Sequence, residues 1–77
     1  MTYATRGGDF ERIRAVLAEV EPEGPLTAKE ICAILADHGE EIESAHRVAT
    51  VLGRRAQRGD IEVIEGQPYR YRLSDLA

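Results

Sequence analysis

Three stretches of the chain place apolar residues at helical spacing. In the first, the spacing of the apolar residues predicts a helix with all of them on one side: Phe10, Ile13, Val16, Leu17 and Val20. Asp9 precedes this stripe and carries the carboxylate of a good N-cap, so we predict that the helix starts there. The segment 22–25 ends the helix, because it contains two prolines and a glycine. We expect residues 1–8 to be a flexible lead-in and residues 9–77 to form one domain.

The second helix is predicted from its first residues. Thr27 and Glu30 have the spacing of a capping box, in which each side chain accepts a hydrogen bond from the other residue's backbone N–H. Leu26 lies just before the box and is placed to pack onto Ile31 as a hydrophobic staple. Gly39 is predicted to end the helix in the left-handed conformation.

A third helix is predicted from Ser44, its N-cap, to about Arg58, with Gly59 ending it. Its apolar face is narrow and contains several small residues: Ala45, Val48, Ala49, Leu52 and Ala56. Ile42, in the linker before it, is expected to tuck under this helix.

After Gly59 the apolar pattern changes from helical to alternating. The alternation predicts two strands, at residues 61–65 and 69–73, joined by a turn at residues 66–68. We therefore predict a β-hairpin. Tyr69 and Tyr71 share a face that we expect to pack on the core, while Arg70 and Arg72 point outward. The predicted fold class is therefore α+β, with three helices and a C-terminal two-stranded hairpin.

Charge is distributed unevenly along the 77 residues, whose net charge is −4. Residues 1–43 contain four basic and ten acidic residues, whereas residues 44–77 contain six arginines and four acidic residues. Between Ser44 and Gly59 there is no aspartate or glutamate. The third helix is therefore basic although the chain is acidic.

The order of these features resembles the winged helix-turn-helix family. The resemblance covers residues 9–74 and is carried by Leu-Thr-Ala-Lys-Glu-Ile at 26–31, Ser44 to Leu52, Arg-Gly-Asp-Ile at 58–61 and Tyr-Arg-Leu at 71–73. It implies a DNA-binding protein, commonly a small prokaryotic transcription regulator. Helix 44–58 would enter the major groove of double-stranded DNA, with hairpin 61–73 as the wing. Many winged helices bind proteins instead, so a protein–protein interaction module that does not bind DNA is the alternative.

The candidate DNA-binding residues lie on the third helix and on the hairpin. They are Ser44, His46, Arg47, Thr50, Arg54, Arg55, Arg58, Arg70 and Arg72. With the apolar face toward the core, residues 47, 50, 51, 54 and 58 are expected to form an outward row.

Arginine can form two hydrogen bonds with guanine, and threonine can contact the methyl group of thymine. We assign Arg47 and Thr50 to base edges, and Arg55 and Arg58 to phosphates. The competing interpretation is a solvated charged face, but such faces usually mix both signs of charge. Two features oppose DNA contact: Glu65 lies at the wing tip, and the Glu40-Glu41 pair lies before the third helix.

Other classes of function find little support in the sequence. No nucleophile–base pair or phosphate-binding glycine loop is present, so we predict no catalytic site and no cofactor. His38 and His46 lack further ligands at useful spacing, and Cys32 reads as a packed side chain, so no metal site is predicted. The N-terminus lacks the apolar stretch of a signal peptide, and no apolar run could span a membrane, so a cytoplasmic protein is expected. No small-molecule ligand is evident, and homodimer formation stays open.

Overall fold

The computed structural model describes residues 8–40 and 42–74. In this range the chain forms a small α+β domain with three helices and one three-stranded antiparallel sheet. The elements are, in chain order, α1 (Asp9–Val20), β1 (Leu26–Thr27), α2 (Ala28–Asp37), α3 (Ala45–Arg58), β2 (Ile61–Ile64) and β3 (Arg70–Leu73). The predicted α+β class is confirmed. The predicted lead-in lies outside the described residues except for Gly8.

The start of α1 differs from the prediction. Gly8, not Asp9, is the N-cap, and no side chain makes a capping hydrogen bond there. Asp9 is instead the first residue of the helix, where the helix dipole favours its negative charge. Its carboxylate is thereby left available for tertiary contacts.

The starts of α2 and α3 follow the predicted caps. Both hydrogen bonds of the capping box are present, since Glu30 N–H donates to Thr27 Oγ1 at 3.1 Å and Thr27 N–H donates to Glu30 Oε1 at 2.9 Å. Arg47 N–H donates to Ser44 Oγ at 3.2 Å, which satisfies a free amide of the first turn of α3. Gly59 follows α3 with a backbone φ of 89°, a conformation that residues other than glycine rarely adopt.

The sheet contains one strand more than the sequence predicted. Its order is β1-β3-β2, and β1 pairs with β3 through Leu26 opposite Tyr71 and Thr27 opposite Arg70. We expected Leu26 to act only as a staple for α2, because a two-residue strand has no alternating pattern to detect. The predicted hairpin of β2 and β3 is confirmed.

The two tyrosines of the hairpin have different environments. Tyr71 is buried, as expected, but Tyr69 is 48% exposed and precedes the first residue of β3. The prediction that Tyr69 packs on the core was therefore wrong. The strand alternation from which it came does not extend back to residue 69.

The core lies where the three helices meet the inner face of the sheet. Its fully buried members include Ile13 of α1, Ile31 and Leu35 of α2, and Val48 and Leu52 of α3. Ile42 is buried, as predicted for the linker, and Cys32 is half-buried against the core. Within residues 8–40 and 42–74, no helix has the length and apolar character needed to cross a membrane.

The buried position of Tyr71 makes a prediction for alkaline pH. Burial raises the pKa of its phenol above the ordinary value of 10.0, and the neighbouring Tyr69 adds to the rise. The pKa of Tyr71 is higher in the folded than in the unfolded chain. The contribution of the buried neutral phenol to stability is therefore complete below about pH 10 and is lost as the pH rises through the folded-state pKa. We expect the free energy of unfolding, measured in urea, to fall less steeply above pH 10 in Tyr71→Phe than in the wild type. Tyr69→Phe, which leaves Tyr71 buried, should keep most of the wild-type dependence, and identical slopes for all three proteins would refute this account.

Candidate nucleic-acid interface

The rotation of α3 about its axis decides which of its side chains reach the surface. Val48 and Leu52 are fully buried, and Ala45, Ala49 and Ala56 border them. Arg47, Arg54 and Arg58 are exposed on one flank, at spacings of seven and four residues. Val51 does not point outward as predicted, because it is partly buried against the core.

The exposed arginines border a groove between the start of α1 and the flank of α3. We call this the basic groove; its volume is about 270 Å³, and it is lined by Gly8, Asp9, Phe10, Arg47, Val51, Arg54, Arg55 and Arg58. It thus contains four guanidinium groups and a single carboxylate. Arg54 and Arg58 form no ion pair with any other residue in the part of the chain that the structure describes. Among the described residues, the groove therefore has more positive than negative charge.

Arg47 already binds a carboxylate of the protein. Its Nε donates a hydrogen bond of 2.8 Å to Oδ2 of Asp9, and Asp9 also lies 3.5 Å from Arg12. Arg12 in turn lies 3.4 Å from Glu40, so Glu40 is partly neutralised rather than free to repel phosphate. Its neighbour Glu41 lies outside the described residues. A residue assigned to base edges is thus held beside α1 by an ion pair that the sequence did not reveal.

Arg55 has two partners within the protein. Its guanidinium lies 4.5 Å from the centre of the Phe10 ring, and Nη1 donates a 3.3 Å hydrogen bond to Asp60. The cation–π contact joins the C-terminal half of α3 to α1. Arg55 therefore helps to build the wall of the basic groove as well as contributing charge to it.

A second side of α3, which we call its polar side, contains His46, Thr50 and Gln57 and no arginine, lysine or acidic residue. His46 and Gln57 are exposed there, with Thr50 between them. The Thr50 hydroxyl donates to the His46 carbonyl at 3.0 Å, which leaves its oxygen lone pairs and its methyl group for a ligand. Gln57 is absent from the predicted binding residues, although it lies one heptad after Thr50 and this spacing places it on the same side of the helix.

The hairpin supplies fewer candidates than expected. Arg72 Nε donates a 2.7 Å hydrogen bond to Glu62, its cross-strand partner, and this bond raises the pKa of Arg72. Arg70 is exposed and pairs with no acid among the described residues. Of the two outward-facing arginines, Arg70 is thus the one available to a ligand.

A second groove separates the hairpin from the starts of α2 and α3. Its volume is about 390 Å³ and its surface is mainly apolar. Ala45, His46 and Ala49 line one side, and Pro68 with the exposed Tyr69 lines the other. We call it the wing groove.

The structure brings seven of the nine candidate residues onto α3 or its N-cap and leaves Arg70 and Arg72 on the sheet. Four of the seven line the basic groove, His46 borders the wing groove, and Ser44 is used as a cap.

The chain matches no known protein-family model, no curated protein and no solved structure.

The ion pair of Asp9 and Arg47 should be weak. The Arg47 side chain is 50% exposed, so solvent and salt screen the attraction. We expect a double-mutant cycle of Asp9→Asn and Arg47→Ala, measured by urea unfolding at low salt, to give a coupling of about 0.2–1 kcal/mol. The coupling should shrink in high salt. A value well above this range that resists salt would show that Arg47 is locked in place and unavailable to a ligand.

Proposed function

We propose that this chain is a winged helix-turn-helix domain that binds double-stranded DNA through α3. The observation that carries the proposal is the basic groove: four arginines line one side of α3, and no acidic residue occurs on the helix itself. The order helix, strand, helix, helix and hairpin is compatible with this family. The net charge of the chain is −4, but the surface of this groove is basic.

The dimensions of α3 suit a major groove. Its 14 residues span about 21 Å at the rise of an α-helix, and the major groove of B-DNA is about 12 Å wide and admits such a helix. The space beside Gly53, which lies between Thr50 and Gln57 along α3, is open, since a Cβ at this position would have no neighbour within 4 Å apart from the adjoining residues and the helix's own backbone. The helix can therefore approach the base pairs closely.

The two exposed sides of α3 have chemistries suited to different parts of DNA. Thr50 and His46, on the polar side, can contact base edges, and Gln57 can bind adenine through its amide. Arg54 and Arg58, on the flank, suit the phosphates along one edge of the groove. Arg47 lies near the N-terminus of α3 and can reach a guanine if it leaves Asp9.

Base contacts of this kind would give sequence preference, which is what a small transcription regulator requires. The proposal includes no catalytic role, metal or cofactor. The wing would contribute mainly Arg70 and the exposed Tyr69, because Arg72 is paired with Glu62.

One observation favours the alternative function. The wing groove is mainly apolar and has an exposed tyrosine at its edge, features that also suit a protein partner. The two functions differ in their response to salt. The affinity for DNA falls as salt rises, because each phosphate contact makes the slope of log affinity against log salt concentration steeper by about 0.9.

The test compares two exposed arginines that differ in position. Arg54→Ala removes a guanidinium from the basic groove, whereas Arg14→Ala removes one from α1 outside the groove. Duplex binding is measured by fluorescence anisotropy between 50 and 200 mM salt. We expect Arg54→Ala to weaken binding and to make the slope of log affinity against log salt concentration less steep by about 0.9. Arg14→Ala should leave this slope unchanged.

Each variant must first show wild-type urea unfolding. Equal effects of the two substitutions would show that only overall charge matters and would remove α3 as the interface. No binding of the wild type to mixed-sequence duplex at high micromolar protein would contradict the proposed function and favour the protein-partner alternative.

A further inference from the structure

We infer that the basic groove is a binding site for a backbone phosphate of DNA, and that Asp9 competes with that phosphate for Arg47. This inference rests on the proposed function, which it extends from a helix in a groove to a particular phosphate site and its intrinsic competitor. It assigns Asp9 a role opposed to binding.

The composition of the groove identifies its ligand as an anion. Guanidinium groups of Arg47, Arg54 and Arg58 border one concave surface, and the latter two have no acidic partner in the described range. Like charges at this density repel one another, and an anion between them relieves the repulsion. Arginine offers paired N–H donors that match two oxygens of a phosphate.

Asp9 shows that Arg47 binds an oxygen anion at the edge of the groove. Its carboxylate lies at the first turn of α1 and accepts a 2.8 Å hydrogen bond from Arg47. The Asp9 side chain is 24% exposed, so its carboxylate is set into the surface, whereas the Arg47 side chain is half exposed and can turn toward a ligand. The carboxylate thus satisfies one of the guanidiniums that a phosphate would otherwise bind.

A phosphate that enters the groove meets the charge of Asp9 as well as the arginines. Binding therefore requires that the Arg47 guanidinium turns from Asp9 to the phosphate. The negative charge of Asp9 holds this guanidinium back and so lowers affinity. Neutralising it should strengthen DNA binding, which is the opposite of the usual effect of breaking an ion pair.

Glu11 provides a matched control. It lies in the same first turn of α1 and is exposed, but it does not line the basic groove. Asp9→Asn and Glu11→Gln make the same change in net charge on the same helix. A difference between them reports position and not overall charge.

The experiment measures duplex affinity of the full chain by anisotropy at 50 mM salt and above. We expect Asp9→Asn to bind about twofold to fivefold more tightly than the wild type, with a salt slope steeper by up to about 0.9. Glu11→Gln should change affinity much less. In an Arg47→Ala background the gain from Asp9→Asn should largely disappear, because the guanidinium for which Asp9 competes is absent.

The outcomes separate this inference from the proposed function. If the wild type binds duplex DNA with an affinity that falls as salt rises but Asp9→Asn and Glu11→Gln behave alike, the phosphate site and the competition are overturned while DNA binding stands. If the gain persists without Arg47, Asp9 acts by general repulsion and the competition is overturned. If neither the wild type nor Asp9→Asn binds duplex, the proposed function fails and this inference fails with it.

Discussion

The burial of two side chains of α3 controls the rest of the surface. Val48 and Leu52 are fully buried, and the residues beside them on that face are mostly alanines. One position along an α-helix corresponds to a rotation of about 100°, so a shift by one residue would turn Arg47 into the core. Burying an unpaired guanidinium costs far more than repacking two aliphatic side chains gains. The narrow apolar face therefore sets the direction of every arginine on the helix.

The arginines in turn create a cost that other elements reduce. Several guanidinium groups lie close together along one flank of α3. The carboxylates that bind them come from outside the helix: Asp9 from α1 and Asp60 from the turn before β2. The contact of Arg55 with Phe10 adds attraction between α3 and α1. Arg54 and Arg58 keep no such partner among the described residues. A domain optimised for stability alone would have mixed the signs of charge on this flank, and their separation is the kind of departure that functional surfaces show.

The sequence predicted those features that depend on neighbouring residues. The capping box of Thr27 and Glu30, the Ser44 cap and the glycine after α3 are interactions over three or four residues, and the structure confirms all of them. It missed β1, because Leu26 becomes a strand residue only through its pairing with Tyr71, distant along the chain. It also placed Asp9 as a cap, because local preference for that position is strong. The ion pair with Arg47, 38 residues away, depends on how α1 packs against α3 and leaves no local signal.

The same geometry explains how an acidic chain can present a basic surface. The acidic residues near the C-terminal end of α1, among them Glu19, lie about ten residues from Asp9. At the rise of an α-helix this places them about 15 Å from the start of the basic groove. The Debye length is about 8 Å at physiological ionic strength, so most of their repulsion of a phosphate in the groove is screened. Asp9 is not screened in this way, because it lies in the groove itself. The net charge of the chain is therefore a poor guide to its ligand, and the single carboxylate inside the groove matters more than the acidic residues at the other end of the helix.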